Sequence, residues 1–140
     1  MMKYLLLLVL SMSLTPFSFG QPNKGYITNI EQETLSNKNF RKVLFTGPHS
    51  QLVVMSLKVG EDIGKEVHEV DQFFRVEKGD GKLELNGKNY EIHDGFAFVI
   101  PAGAEHNILN TGSRELKVYT IYSPPQHPDG TIHKTKAEAK

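Results

Sequence analysis

The sequence contains no cysteine and no excess of charge of either sign. Without cysteine, neither a lipoprotein anchor nor a disulfide can form, so disulfides contribute nothing to stability. The 16 basic and 16 acidic residues are interspersed along the chain. This balance provides no electrostatic footprint for nucleic acid or for an anionic membrane surface. We therefore expect no nucleic-acid partner, and we find no internal repeat or low-complexity tract.

The chain also lacks an apolar run long enough to span a bilayer. It begins MMKYLLLLVLSMSLTPFSFG, with one lysine, an apolar run from Tyr4 to Leu10 and beyond, a break at Pro16 and small residues up to Gly20. This layout is typical of a secretory signal peptide. We predict cleavage after Gly20 and a periplasmic or secreted mature protein that is not attached to a membrane. An uncleaved membrane anchor is the alternative.

Long helical periodicity is missing as well, and short β-type runs alternate with turn signals instead. The predicted strands are Arg41–Thr46, Gln51–Lys58, Gln72–Glu77, Lys82–Leu85, Asn89–Ile92, Phe96–Ile100, His106–Asn110 and Leu116–Tyr122. The dipeptides Asp80-Gly81 and Asn86-Gly87 are two-residue turn signals. Short strands with turns roughly every 8 to 12 residues predict an all-β fold, a small antiparallel sandwich or barrel.

The pattern divides the chain into four parts, which are a signal peptide at 1–20, an N-terminal arm at 21–40, a barrel at 41–122 and a proline-rich C-terminal tail at 123–140. Pro124 and Pro125 mark the end of the last strand because proline cannot donate a ladder hydrogen bond. We expect the tail to be extended, with a turn or two of helix at Lys134–Lys140. His127 and His133 could fold over the barrel mouth.

Three polar residues, Glu66, His68 and Gln72, occupy even-numbered positions and therefore share a face if the strand that contains Gln72 is regular back to Glu66. The other members of that face are apolar, namely Val70, Phe74 and Val76. Burying a carboxylate, an imidazole and an amide on such a face is costly unless they pair or bind an ion. His106, on another strand, can complete a nitrogen and oxygen donor set that suits a divalent transition metal.

Two segments resemble the two sequence motifs of the cupin superfamily. The second motif is matched in full by GFAFVIPAGAEHNILN at 95–110, and the matching residues are Gly95, Pro101, Gly103, His106 and Asn110. The resemblance covers roughly Lys42 to Tyr122. It implies a double-stranded β-helix, or jelly-roll barrel, in which His106 is the last metal ligand.

The first motif is matched less completely by GEDIGKEVHEVDQFFRVEKG at 60–79. Gly60, His68 and Gly79 stand at expected positions, but Glu66 replaces a histidine and Gln72 replaces the glutamate. The swap keeps one formal negative charge in the ligand set. We predict that Glu66, His68, Gln72 and His106 hold one divalent transition metal per chain, with Mn, Fe, Ni, Co, Cu and Zn as candidates.

Three hypotheses for function follow. The leading one is an exported cupin with a metal and a small-molecule pocket, which, if catalytic, resembles metal-dependent oxygenases, isomerases or decarboxylases. The second is a non-catalytic module that binds a small ligand or has a structural role. The third is a metal-free barrel whose polar residues bond only to one another. Val67 and Phe73 on the outer face, together with the pairing of barrels common among cupins, predict a homodimer.

Overall fold

The computed structural model describes residues 24–139, and the predicted signal peptide with its cleavage site lies outside this range. The elements are α1 (Ile30–Ser36), β1 (Arg41–Thr46), β2 (Gln51–Leu57), β3 (Asp71–Lys78), β4 (Asp80–Leu85), β5 (Lys88–His93), β6 (Ala97–Ile100), β7 (His106–Asn110), β8 (Leu116–Ser123), β9 (Ile132–His133) and a 3₁₀ turn (Lys136–Ala139). Among these described residues, no helix has the length and apolar character needed to cross a membrane.

The strands form two antiparallel sheets. The larger has the order β6-β3-β8-β2-β1-β9, and the smaller has the order β5-β4-β7. Both sheets contribute to one buried apolar cluster, which contains Phe74 of β3, Leu83 of β4 and Ile108 of β7. Side chains alternate between the core and the outer face, as the sequence pattern requires. The predicted all-β antiparallel barrel is confirmed.

The eight predicted strands are all present, with ends that differ by no more than two residues. Helix α1 was not predicted, because seven residues are too few to show helical periodicity. The side chain of Asn29 caps this helix by accepting a hydrogen bond from the Gln32 amide at 3.0 Å. Thr34 is fully buried against the barrel. Packing of this kind, rather than intrinsic propensity, stabilises so short a helix.

The interpretation of Asp80-Gly81 as a turn is wrong, because both residues belong to β4 and the chain turns at Gly79. A Cβ added to Gly81 would lie 2.8 Å from the Leu109 carbonyl oxygen and 2.9 Å from the Leu116 side chain. The glycine is therefore needed for close strand packing. Asn86-Gly87 does form the predicted hairpin turn, with positive φ at both residues between β4 and β5.

The C-terminal tail folds back onto the barrel. Its strand β9 pairs with β1, and a two-residue strand has no periodicity that the sequence could reveal. Near its end, Lys136 donates a hydrogen bond to Asp62, and this bond is the main reason that the pKa of the Asp62 carboxyl is lowered. The predicted helical turn is present as the 3₁₀ turn. Both β9 and Lys136 thus anchor the tail to the barrel.

Candidate metal centre

The segment that carries Glu66 and His68 is not a regular strand, because β3 begins only at Asp71, one residue before the predicted start at Gln72. Glu66 instead forms an isolated antiparallel bridge with His106. Each backbone N–H donates to the other's carbonyl at 2.9 Å. The side chains still point in the predicted directions. Those of Glu66 and His68 are mostly covered, at 24% and 15% exposure, whereas Glu69 is an exposed residue.

Glu66, His68 and His106 bring three ligand atoms to one place. Oε2 of Glu66 lies 3.0 Å from Nε2 of His68 and 3.9 Å from Nε2 of His106. All three residues offer a donor atom within 4.8 Å of the others. Two atoms that each lie about 2.1 Å from one ion are roughly 3.0–3.4 Å apart at cis or tetrahedral angles. The group is therefore close to the size of a coordination sphere.

The hydrogen bonding of His106 leaves one ring nitrogen available as a ligand. Its Nδ1 lies 3.0 Å from the carbonyl oxygen of Ala104. A carbonyl oxygen can only accept, so Nδ1 carries the hydrogen and Nε2 of the neutral ring has a free lone pair. This side chain is 1% exposed, and its Nε2 has no hydrogen-bond partner. Such a backbone bond is the usual way in which a ligating histidine is oriented.

Gln72 lies on the inner face of β3, as predicted, and is 1% exposed. In the sheet it stands between Tyr122 of β8 and Ile100 of β6. Its Oε1 is buried without a partner. The structure thus groups three of the four predicted ligands directly, and the role of Gln72 as the fourth stays a prediction.

Coordination of a divalent transition metal accounts for the polar atoms of Glu66, His68, Gln72 and His106 better than hydrogen bonding among them does. In a metal-free barrel the polar groups should satisfy one another, as Glu66 and His68 do at 3.0 Å. His106 Nε2 and Gln72 Oε1 do not, and both are buried acceptors without partners. An unprotonated imidazole nitrogen and an amide oxygen are atoms that can coordinate a cation. The residues present therefore fit the predicted metal.

Two residues next to this group were not recognised as site residues. Arg41 is 5% exposed, and its Nη2 lies 3.8 Å from Oε1 of Glu66. The ring of Tyr122, at the end of a predicted strand, lies 6.1 Å from that of His68. Burial raises the pKa of its hydroxyl to about 12, so Tyr122 is protonated at neutral pH. Arg41 lies two residues before Val43 in β1, so both side chains are on the inner face of the strand. This spacing was the sequence signal that the Arg41 charge points into the barrel.

The tail brings His127 to the same end of the barrel. The side-chain amide of Gln51, which is fully buried, accepts from the His127 backbone N–H at 2.9 Å and donates to its carbonyl at 2.7 Å. The His127 ring then meets Tyr122 edge-on at 5.0 Å. Burial, followed by the charge of Arg41, lowers the pKa of His127 to about 4, so this imidazole is neutral at pH 7.

Replacing Gln51 by leucine is expected to loosen the tail around His127. The substitution leaves both backbone groups of His127 without their partners, at a cost of about 1–3 kcal/mol. Hydrogen exchange followed by mass spectrometry should show faster exchange in peptides covering residues 124–135. Gln126→Leu is the control, because this side chain is exposed. Equal exchange in the Gln51→Leu variant and the unmodified protein would contradict the proposed clamp.

Two cavities border strands β4 and β5. One, of about 230 Å³, is lined by Lys65, Glu84, Gly87, Asn89, Glu105 and His106, so it touches one of the four predicted ligands. The other, of about 280 Å³, is mainly apolar and is lined by Leu83, Leu85, Tyr90, Glu91, Ile92, Phe96, Ala97 and Phe98. The second contains none of the predicted ligands. The group formed by Glu66, His68 and His106 is open to solvent through Glu66 and His68.

The predicted dimer surface is partly exposed. Val67 is 54% exposed, while Phe73 is half-buried with its ring 6.1 Å from that of Tyr119. Neither observation identifies a partner, so the homodimer stays a prediction.

Comparison with known proteins relates most of the barrel to one family. The family model described as "Cupin domain" matches residues 53–122. An uncharacterized protein of Bacillus subtilis, YrkC, is 48% identical over 124 residues, which cover 83% of this chain and 66% of that protein. An uncharacterized protein of Acanthamoeba polyphaga mimivirus, L612, is 47% identical over 116 residues, covering 79% of this chain and 72% of that protein.

A solved structure has the same fold over most of its length. The crystal structure of BH2720 from Bacillus halodurans is 50% identical, with a TM-score of 0.81, and the match covers 83% of this chain and 93% of that chain. The family match includes β7 with His106 and β8 with Tyr122. This chain belongs to the cupin family.

Proposed function

We propose that this protein binds one divalent transition metal per chain through Glu66, His68, Gln72 and His106. The observation that carries the proposal is the unpartnered Nε2 of His106, which is buried within 3.9 Å of the Glu66 carboxylate. Because Nδ1 of the ring donates to the Ala104 carbonyl, Nε2 of the neutral ring keeps a free lone pair that is buried from solvent. Gln72 adds a second unpartnered acceptor on the same interior face.

The proposal includes a small molecule as the second occupant of the site. Four protein ligands leave one or two positions open on a five- or six-coordinate ion. The partial exposure of Glu66 and His68 supports access from solvent to those positions. A divalent metal bound there supplies Lewis-acid polarisation of a ligand oxygen or a lowered pKa for bound water. The chain's own contribution is to hold, orient and partly desolvate the small molecule.

Metal titration tests the proposal. Protein purified from unsupplemented cells is analysed for its elements, then treated with a chelator and heated with added Mn²⁺, Fe²⁺, Ni²⁺, Co²⁺, Cu²⁺ or Zn²⁺. We expect close to one metal per chain, and stabilisation by about 2.7 kcal/mol at a free metal concentration 100 times the Kd. Mg²⁺ is the control, because it prefers oxygen ligands and retains its waters. Absence of stoichiometric metal, with no stabilisation by any of the six ions, would support the metal-free barrel.

A further inference from the structure

Three polar nitrogens that belong to none of the predicted ligands are buried without partners near the metal centre. They are Nε of Arg41, Nε2 of His127 and Nδ1 of His133. Buried polar atoms in folded proteins almost always have a hydrogen-bond partner, so each exception requires an explanation. The Arg41 side chain is 6% exposed, which makes its free Nε–H the most costly of the three.

Strand pairing and the tail clamp bring these residues together. His133 is the direct partner of Arg41 in the β1–β9 ladder, so the two side chains share a face of the sheet. Arg41 reaches Glu66 at 3.8 Å. His127 packs on Tyr122, and the Tyr122 ring in turn lies 6.1 Å from that of His68. The unpartnered nitrogens therefore surround the side of the metal centre that faces the tail.

The charges of this region favour an anion once a metal is bound. The side chains concerned are Arg41, Glu66, His68, Gln72, His106 and His127. Glu66 is the only carboxylate among them, and its charge is balanced by the Arg41 guanidinium. Ligating histidines bind metals in the neutral form, so a divalent ion would add two uncompensated positive charges. Burying that charge is unfavourable unless a negatively charged ligand enters with it.

We propose that Arg41, His127 and His133 form an anion subsite beside the metal centre, which binds the carboxylate of a small organic acid. This inference rests on the metal site proposed above. A guanidinium presents planar N–H donors that match the two oxygens of a carboxylate, and the imidazoles can add neutral N–H donors. A carboxylate is also an oxygen ligand for the open metal positions. Phosphate also pairs with a guanidinium, so its binding is compared directly with that of carboxylates in the titration below.

Anion titration of the cobalt-loaded protein tests the subsite. Acetate, malonate and inorganic phosphate are added separately, and the visible Co²⁺ absorption is recorded. We expect both carboxylates to change the spectrum with a Kd no weaker than millimolar. Arg41→Met should weaken that binding about tenfold or more, and His127→Leu about threefold, while the cobalt content stays the same. Arg114→Met is the matched control, since Arg114 is exposed.

The possible outcomes separate the subsite from the metal site. Unchanged carboxylate affinity in Arg41→Met, or loss of its cobalt, would mean that Arg41 only supports Glu66 and would overturn the subsite. Tighter, Arg41-dependent binding of phosphate would overturn the assignment to carboxylates. The same anions are also titrated into metal-free protein, followed by the imidazole NMR signals of His127. If cobalt does not bind, the metal proposal fails. The subsite would then be supported only if acetate binds the metal-free protein and Arg41→Met weakens that binding.

Discussion

Replacing His106 by alanine is expected to abolish stoichiometric metal binding. The variant removes the one buried ligand atom that the fold orients through the Ala104 carbonyl. Loss of a group that merely orients a ligand typically costs 10- to 100-fold in metal affinity, so loss of the ligand itself should cost about 100-fold or more. Elemental analysis after dialysis against a fixed free metal concentration measures the effect. Circular dichroism of the same sample shows whether the barrel is intact.

Three further variants make this result specific. Glu66→Ala should also lower the metal content, whereas Glu69→Ala should not, because Glu69 is exposed on the opposite side. Metal loss in Glu69→Ala with retention in Glu66→Ala would contradict the assigned facing of this segment. His93→Ala is the histidine control, since His93 is half exposed and bonds to Asp80 at 3.0 Å. It should leave the metal content unchanged.

Replacing Gly79 by alanine is expected to destabilise the protein by about 2–5 kcal/mol. Gly79 turns the chain between β3 and β4 with φ near +97°, a conformation that costs other residues about 1–2 kcal/mol. A Cβ there would also lie 2.8 Å from the Glu115 carbonyl oxygen and 3.1 Å from Cα of Leu116. Both are backbone atoms and cannot rotate away, so overpacking adds about 1–3 kcal/mol. Thermal unfolding should show a Tm lower by roughly 10 °C or more.

Gly87→Ala is the matched control for this prediction. Gly87 also has a positive φ, of 78°, but nothing lies within 4 Å of the Cβ that alanine would add. Gly87→Ala should therefore lower the free energy of unfolding only by the backbone cost of a positive φ, about 1–2 kcal/mol. Equal destabilisation of the two variants would show that the close approach of Glu115 and Leu116 is unimportant.

The sequence predicted the strands well because each carries a local signal, an alternation of period two between turn residues. It predicted the inward facing of Glu66, His68 and Gln72 for the same reason, although the first two precede the regular strand. It failed where the local signal was absent or ambiguous. Helix α1 and strand β9 are too short for periodicity, and Asp80-Gly81 has turn composition but strand structure.

The predicted ligands could be found from the sequence because their residue types are unusual among apolar neighbours and their motifs resemble those of cupins. Whether the four atoms meet was beyond the sequence. The cross-bridge between Glu66 and His106 links residues from two separated segments, and it sets the distance of 3.9 Å between their side chains. The alignment of His106 by Ala104 depends on ring orientation, which no residue pattern encodes.

Alternation and composition are enough to predict the antiparallel all-β architecture, the interior face of the site and the chemical types of its donors. That Arg41, Tyr122 and His127 surround those donors follows only from the arrangement of the strands and the tail in space. The Gln51 clamp joins residues 76 positions apart, and Arg41 meets His133 through sheet pairing. Such contacts depend on how strands are ordered in space. The order of strands in a sheet cannot be deduced from the residues of any one strand.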